Sequence, residues 1–420
     1  MINRWSVRSV RKTMHKIIAG ACRAHRDLAA YRALLLAAAL SWPQLSIADG
    51  SGWPAWDAFR QYFIQFDGRV VEHESDARTT SEAQAYAMFF ALVNNQRPLF
   101  DLLLDWTEKN LARGDLNSNL PGWLWGRAAA SAATAGSAIS SASRWRLLDD
   151  NSASDADLWI AYNLLEAARL WKEPRYHELG MALLEQVKEK EILRLSDSFV
   201  TLLPAPRGFH IDGQLWRVNP SYFVPQQFAL FSRADPAGPW QLLGAQLPEM
   251  LETCCPSGYA PDWVSYRQPS GWLSSKDSKL TGSYDAIRVY LWAGMMDSEQ
   301  PGRERLLAAL HGMRSLLRTR IEPPDRIDLS SGRSTGKTPP GFLAAVAPYL
   351  QAVGEKDLLE RGLERLRAVE SGALYGKGKR YYDQVLALYG LGYIEQRFQF
   401  NRCGELEPAW NRTAKNSDRC

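Results

Sequence analysis

Three carboxyl-bearing positions stand where an acidic side chain meets a strongly apolar helical run. The first is Glu82, in Thr79-Thr80-Ser81-Glu82-Ala83-Gln84-Ala85-Tyr86, just ahead of Met88-Phe89-Phe90. A Glu in the first turn of such a helix, beside Tyr86, lies in a poorly solvated pocket. Desolvation raises a carboxyl pKa and suits it to donate a proton near neutrality. The same position also fits a plain first-turn charge on a helix capped by Thr80 or Ser81. The second is the pair Asp155 and Asp157, in Ala153-Ser154-Asp155-Ala156-Asp157 at the head of an apolar stretch running to Trp171. Residues two apart cannot share a helix face. Ser154 or Asp155 can cap this helix while the other acid points into a cleft, or the whole is a capped core helix. The third is Asp285, three residues before Arg288 and so able to pair with it on one face. Its neighbours Tyr284, Tyr290 and Trp292 argue against an exposed surface ion pair.

One carboxylic acid that protonates a leaving oxygen and one carboxylate that activates water or attacks carbon make up the machinery of glycoside hydrolysis. Sugars present apolar ring faces that stack on aromatic side chains. Trp123, Trp125, Trp216, Tyr222, Trp263, Trp272, Tyr381 and Tyr382 are candidate platforms, and each is equally suited to the core. No metal is expected. His73, His177, His210 and His311 are scattered, and His177-Glu178 lacks the second His of a zinc helix motif. There is no Gly-rich phosphate loop and no nucleophile elbow, so no cofactor is expected either.

The elements that must position these acids are helical. Apolar periodicity predicts helices near 54–64, 82–94, 97–111, 155–171, 175–192, 223–233, 237–254, 283–296, 302–319, 340–353, 355–370 and 381–397, with Pro348 kinking one of them. Extended pieces around 198–218 and 258–272 predict small β hairpins on one rim. About twelve helices with mixed apolar faces suit two stacked layers: an all-α fold, a double ring of six helical hairpins. A solenoid would need a repeat of fixed period, and none is visible. Residues 128–143 are nearly all Ala, Ser, Gly and Thr and read as a low-complexity loop insertion, with a helix as the competing reading. The chain divides into 1–48, a catalytic region 49–400, and a polar tail 401–420.

Residues 1–32 carry eight Lys and Arg against Asp27, followed by the apolar run 33–40 and the small-x-small site Ser46-Ile47-Ala48. This pattern predicts a cleaved export signal and a periplasmic or secreted product, with no membrane attachment after cleavage. The run is too short to span a bilayer. Without residues 1–48, Lys and Arg fall from 50 to 42 and Asp and Glu from 46 to 45, so the net charge passes from +4 to −3. The basic balance belongs to the signal and argues for no nucleic-acid partner. With 46% hydrophobic residues and 16 Trp, the remainder suits a neutral polymer such as a glycan. Cys254, Cys255, Cys403 and Cys420 remain, and their connectivity is open.

Three separated motifs resemble glycoside hydrolase family 8: Ser-Glu-x-Gln-x-Tyr at 81–86, Ala-Ser-Asp-Ala-Asp at 153–157, and Tyr-Asp-Ala-x-Arg at 284–288. Asn219-Pro220-Ser221-Tyr222 and Tyr381-Tyr382-Asp383 are similar too. The likeness covers roughly residues 53–400 and is greatest to members encoded beside bacterial cellulose synthase. It implies an (α/α)6 double-helical barrel, endo-acting hydrolysis of β-1,4-glucan with inversion, and a setting beside the cellulose synthase export machinery. Xylan and chitosan remain alternative substrates, and a non-catalytic glycan-binding protein the reading from another class. By the resemblance, Glu82 is the general acid and Asp285 the base, with Asp155 the alternative base. Asp155 holds and distorts the sugar at the cleavage point, and Arg288 orients Asp285. Asp157, Tyr86, Trp123, Trp125, Tyr222, Tyr284, Arg288, Tyr381 and Tyr382 are the candidate substrate contacts. Ala83 stands where the family commonly has Gly, which leaves less backbone room beside the acid. The separation expected between acid and base in an inverting pair is roughly 6.5–9.5 Å.

Overall fold

The computed structural model describes residues 52–128, 145–196, 199–276 and 278–412. The export segment 1–48, nearly all of the 128–143 insertion and the last eight residues of the tail lie outside the described residues.

Thirteen α-helices form among the described residues. In chain order they are α1 (Pro54–Phe63), α2 (Ser81–Val93), α3 (Arg97–Asn110), α4 (Ser154–Trp171), α5 (Pro174–Lys190), α6 (Pro225–Ala234) and α7 (Trp240–Cys254). There follow α8 (Ala286–Gly294), α9 (Arg303–Ala309), α10 (His311–Arg320), α11 (Pro340–Ala352), α12 (Lys356–Arg367) and α13 (Tyr381–Ile394). The predicted 302–319 helix is therefore broken in two. A continuous helix would send the Gly312 amide to the carbonyl four residues back; instead it donates to Gly258 O at 2.9 Å, on a loop pressed against this point. Pro348 lies inside α11, which runs on through it.

The sequence of each helix sets its layer. Helices α2, α4, α8, α11 and α13 bury residues on every face, as helices enclosed by protein must. Helices α5 and α12 bury a single stripe, Leu179, Leu183, Leu184 and Val187 in one and Leu358, Gly362 and Leu366 in the other. Consecutive helices pair across the layers: α2 with α3, α4 with α5, α6 with α7, α11 with α12. The enclosed helices, together with the largely buried α6, also pack in series, α2 on α4, α4 on α6, α6 on α8, α8 on α11 and α11 on α13. Tyr389 of α13 then returns to the start, 5.5 Å from the Tyr86 ring and 4.7 Å from the Phe90 ring of α2. Gly294 lets α8 and α11 touch, since a Cβ there would lie 2.1 Å from Tyr349 N.

Short antiparallel strands sit at the helix N-termini that matter here. Thr79–Thr80 pairs with Leu124–Arg127 and runs straight into α2. Thr281–Gly282 precedes α8 and pairs with Arg326–Asp328. A four-stranded sheet of His210–Asp212, Leu215–Val218, Val264–Arg267 and Gly271–Trp272 accounts for the predicted hairpins. The described part of the predicted polar tail is tied down. Leu406–Pro408 pairs with Phe398–Phe400, Leu406 N donates to Glu166, and Tyr162 Oη donates to Gly404 O at 2.7 Å. Cys254 and Cys255 are free, buried thiols at the end of α7.

Candidate active site

The three acids arrive at one place, from the first turns of α2 and α4 and from the residue just before α8. Thr80 precedes α2 and caps it. Its hydroxyl accepts from Ala83 N at 3.2 Å and donates to Glu72 Oε1 at 3.0 Å. Glu72 in turn accepts from Arg78 Nε at 2.8 Å. Because Thr80 takes the cap, Glu82 is left to face an open cleft of about 340 Å³, which Glu72, Arg78 and Thr80 also line. Burial raises the Glu82 carboxyl to about 8; the charges of Asp155 and Glu72 add to the rise and Arg288 opposes it. Such a group is a proton donor at neutral pH.

Helix α4 opens differently from expectation. Ala153 occupies its N-cap position with no side-chain cap, so neither Ser154 nor Asp155 plays that part. The Ser154 amide bonds Pro204 O at 3.0 Å instead. Asp155, 2% exposed, accepts from Ala156 N at 2.9 Å and from Arg288 Nη1 at 3.2 Å. Burial pushes its carboxyl up to about 6 against the pull of Arg288.

Asp285, immediately before α8, accepts from Arg288 Nη2 at 2.7 Å and keeps 31% of its side chain exposed. The Arg288 guanidinium is the hub. It donates to Asp155, Asp285, Tyr86 Oη at 3.2 Å and Ser221 Oγ at 2.8 Å, and lies 5.5 Å from the Tyr222 ring centre. Ser221 is itself fixed by donating to Asn219 Oδ1 at 2.7 Å.

Of the sequence-predicted substrate contacts, Tyr86, Trp123, Tyr284, Arg288, Tyr381 and Tyr382 line the cleft with Glu82 and Asp285. Tyr382 Oη donates to Tyr284 O at 2.6 Å, which holds these two tyrosines together on one wall. Asp155 and Tyr222 are not among the lining residues and meet the cleft through Arg288.

Two expected contacts lie elsewhere. Asp157 is fully buried and points away from the cleft toward Glu191, also fully buried. Burial first, and then Glu191, drives the Asp157 carboxyl well above the ordinary range. Residues two apart on α4 project about 200° apart, so Asp155 and Asp157 separate as the spacing requires. Trp125 does not line the cleft and packs instead against Trp106 and Trp145. Its ring stacks 5.1 Å from Trp145, with the Arg69 guanidinium 4.4 Å from its centre. Trp216 and Trp272 are buried, and Trp263 stacks on Phe209 at 5.7 Å, all outside this cleft. Sequence reasoning missed Glu72, Ser221 and Asp262. Asp262 accepts from three amides around Asp285. Only Ser221 had a local signal, since it stands beside Tyr222 in Asn219-Pro220-Ser221-Tyr222.

Comparison with known proteins places this geometry in context. The family model described as "Glycosyl hydrolases family 8" matches residues 29–396. The chain is 43% identical to the endoglucanase of Xanthomonas axonopodis pv. citri (strain 306) over 390 residues, covering 92% of this chain and 96% of that protein. It is 40% identical to the endoglucanase of Escherichia coli (strain K12) over 386 residues, 91% of this chain and 97% of that protein. Among solved structures, the endo-1,4-D-glucanase from Vibrio fischeri ES114 superposes with a TM-score of 0.74 at 35% identity, covering 86% of this chain and all of that one. A β-1,3-1,4-glucanase from Paenibacillus sp. X4 shares the fold at a TM-score of 0.66 and 18% identity, covering 85% of this chain and 92% of that one.

Proposed function

The chain belongs to glycosyl hydrolase family 8, and from that premise we propose that this glycoside hydrolase cuts internal β-1,4 bonds of a cellulose-like glucan with inversion at the anomeric carbon. The observation that carries the reading is the pairing of unlike carboxyls in one aromatic-walled cleft. Glu82 holds its proton up to about pH 8, while Asp285, with 31% of its side chain exposed, is charge-paired with Arg288. Glu82 protonates the leaving glycosidic oxygen. Asp285 takes a proton from a water that attacks the anomeric carbon from the opposite face. The C–O bond breaks as the new one forms, and no covalent sugar–enzyme bond is made. Asp155 anchors the guanidinium of Arg288, so that Arg288 and Tyr86 hold the sugar at the cleavage point. Trp123, Tyr284, Tyr381 and Tyr382 offer ring faces and hydroxyls to the flanking sugars.

The serial packing of α2, α4, α6, α8, α11 and α13, with Tyr389 back against α2, supports a closed (α/α)6 double ring with the cleft at its helix N-termini. The sequence of residues 1–48 supports export to the periplasm, and the family resemblance supports work beside the cellulose synthase export machinery; N-terminal sequencing of the mature protein should begin near Asp49, and a retained Met1 or Met14 would contradict cleavage. Release of reducing ends from carboxymethylcellulose, xylan and chitosan, measured side by side, tests the substrate. Turnover should be highest on carboxymethylcellulose; preference for xylan or chitosan would reassign it.

A further inference from the structure

Asp285 stands in the N-cap position of α8, and Asp is among the residues most prone to cap. A capping carboxylate folds back onto the amides of its own first turn, where it is unavailable to a bound water. The Asp285 side chain makes no such bond. The reason lies in where the amides of this turn go. Asp262 Oδ1 accepts from Ser283 N at 2.8 Å, Asp285 N at 3.1 Å and Ala286 N at 2.9 Å. Ile287 N bonds Ser283 O and Arg288 N bonds Asp285 O, both at 3.1 Å. Every amide from Asp285 to Arg288 is thus satisfied without the Asp285 carboxylate.

Asp262 is held in place to do this. Its own amide donates to Thr281 O at 2.7 Å. Two residues earlier, Ala260 N donates to Tyr290 Oη at 2.8 Å, a second tie to the same helix. The two segments lie so close that a Cβ at Gly282 would stand 2.4 Å from Ala260 O. Asp262 does not line the cleft.

We propose that Asp262 is a positioning residue, a surrogate N-cap from a neighbouring loop that occupies the first-turn amides of α8 and so keeps the Asp285 carboxylate turned into the cleft. This rests on the reading of Asp285 as the base. Without the surrogate, the Ala286 amide is left open and the Asp285 carboxylate turns onto it, as Asp155 does onto Ala156 N. The helix survives and the attacking water loses its acceptor.

The test compares Asp262→Ala, Asp262→Asn and Asp285→Asn on cellopentaose, each checked for folding by circular dichroism and thermal melting. Asn retains the acceptor oxygen, so Asp262→Asn should keep kcat within roughly threefold of wild type. Asp262→Ala should lower kcat by roughly tenfold to a hundredfold, part of the full general-base contribution, with KM changed less than about twofold. A folded Asp262→Ala variant with wild-type kcat and only a lower melting temperature would overturn the proposal and leave Asp262 a stabilising cap. So would a folded Asp262→Asn variant as slow as the Ala one, because charge rather than the acceptor would then matter. Should Asp262→Ala not fold, Asp262→Ser, whose hydroxyl is too short to reach the three amides, takes its place with the same two outcomes. Asp285→Asn separates the two levels: its retention of turnover would remove the base reading itself, whatever the Asp262 variants do.

Discussion

Arg288 Nη1 donates to Asp155 Oδ2 across 3.2 Å, joining the first turns of two helices 133 positions apart in the chain. Both side chains are almost wholly buried. The planar guanidinium also reaches Asp285, Tyr86 and Ser221, a set of directions that one ammonium cannot reproduce. Arg288→Lys should therefore fold yet lose at least about a hundredfold in kcat, the scale attached to misplaced catalytic geometry. Removing the charge outright leaves a carboxylate buried and unpaired, which costs about 3–5 kcal/mol; Arg288→Ala should melt well below Arg288→Lys. Equal melting of the two variants would mean the pairing matters little to the fold.

Glu82 acts only while protonated, and its carboxyl is raised to about 8. The basic limb of kcat on cello-oligosaccharides should therefore fall near pH 8. Glu82→Gln keeps the shape but has no proton to give, and turnover should drop roughly 10²–10⁴-fold while oligosaccharide still binds. Near-wild-type turnover would return Glu82 to a first-turn helix charge.

Glu72 adds to the rise at Glu82 through its charge, alongside Asp155, while Arg288 opposes both. Glu72→Gln removes that charge and keeps an acceptor for the Thr80 hydroxyl. The basic limb should move to lower pH. An unmoved limb would show that Glu72 serves only to hold the first turn of α2.

Much of this was legible before the fold, and the exceptions have physical causes. The starts of α2 and α4 were readable because an acid or cap stands immediately before an apolar run, as at Glu82 ahead of Met88-Phe89-Phe90. The start of α8 was placed three residues early, since Ser283, Tyr284 and Asp285 look like a first turn but serve as its approach. The break between α9 and α10 was invisible, because the carbonyl that diverts the Gly312 amide comes from Gly258, far off in sequence. Asp262, Ser221 and Glu72 escaped for the same reason: each earns its place through partners on another segment. Trp125 was misjudged likewise, because the groups that take up its ring, Trp145 and Arg69, come from other segments.

Asp157 and Glu191 predict a pH dependence of stability. Both are fully buried, neither Asp157 oxygen has a hydrogen-bond donor, and Ser152 supplies Glu191 Oε1. A proton held between them satisfies the pair. Burial raises Glu191 from 4.5 to about 8 and Asp157 well above 3.8. The folded state then binds more protons than the unfolded chain, so their stabilisation is complete below about pH 4 and is lost as pH rises toward 8. The shared proton contributes a slope of up to about 1.4 kcal/mol per pH unit in that window. Asp157→Asn supplies a permanent donor and should flatten the fall in melting temperature between pH 5 and 8. Parallel wild-type and variant curves would contradict a shared proton.

The most direct test of the central claim, that Glu82 and Asp285 work on opposite faces of the sugar, with a water between Asp285 and the anomeric carbon, rather than through a covalent intermediate, is the anomeric configuration of the first product. Proton NMR of cellopentaose hydrolysis, read within the first minutes before mutarotation equalises the anomers, reports it. Attack by an activated water gives the α-anomer first, with the β-anomer growing in later. Initial accumulation of the β-anomer would contradict the account and make one of the carboxylates a nucleophile.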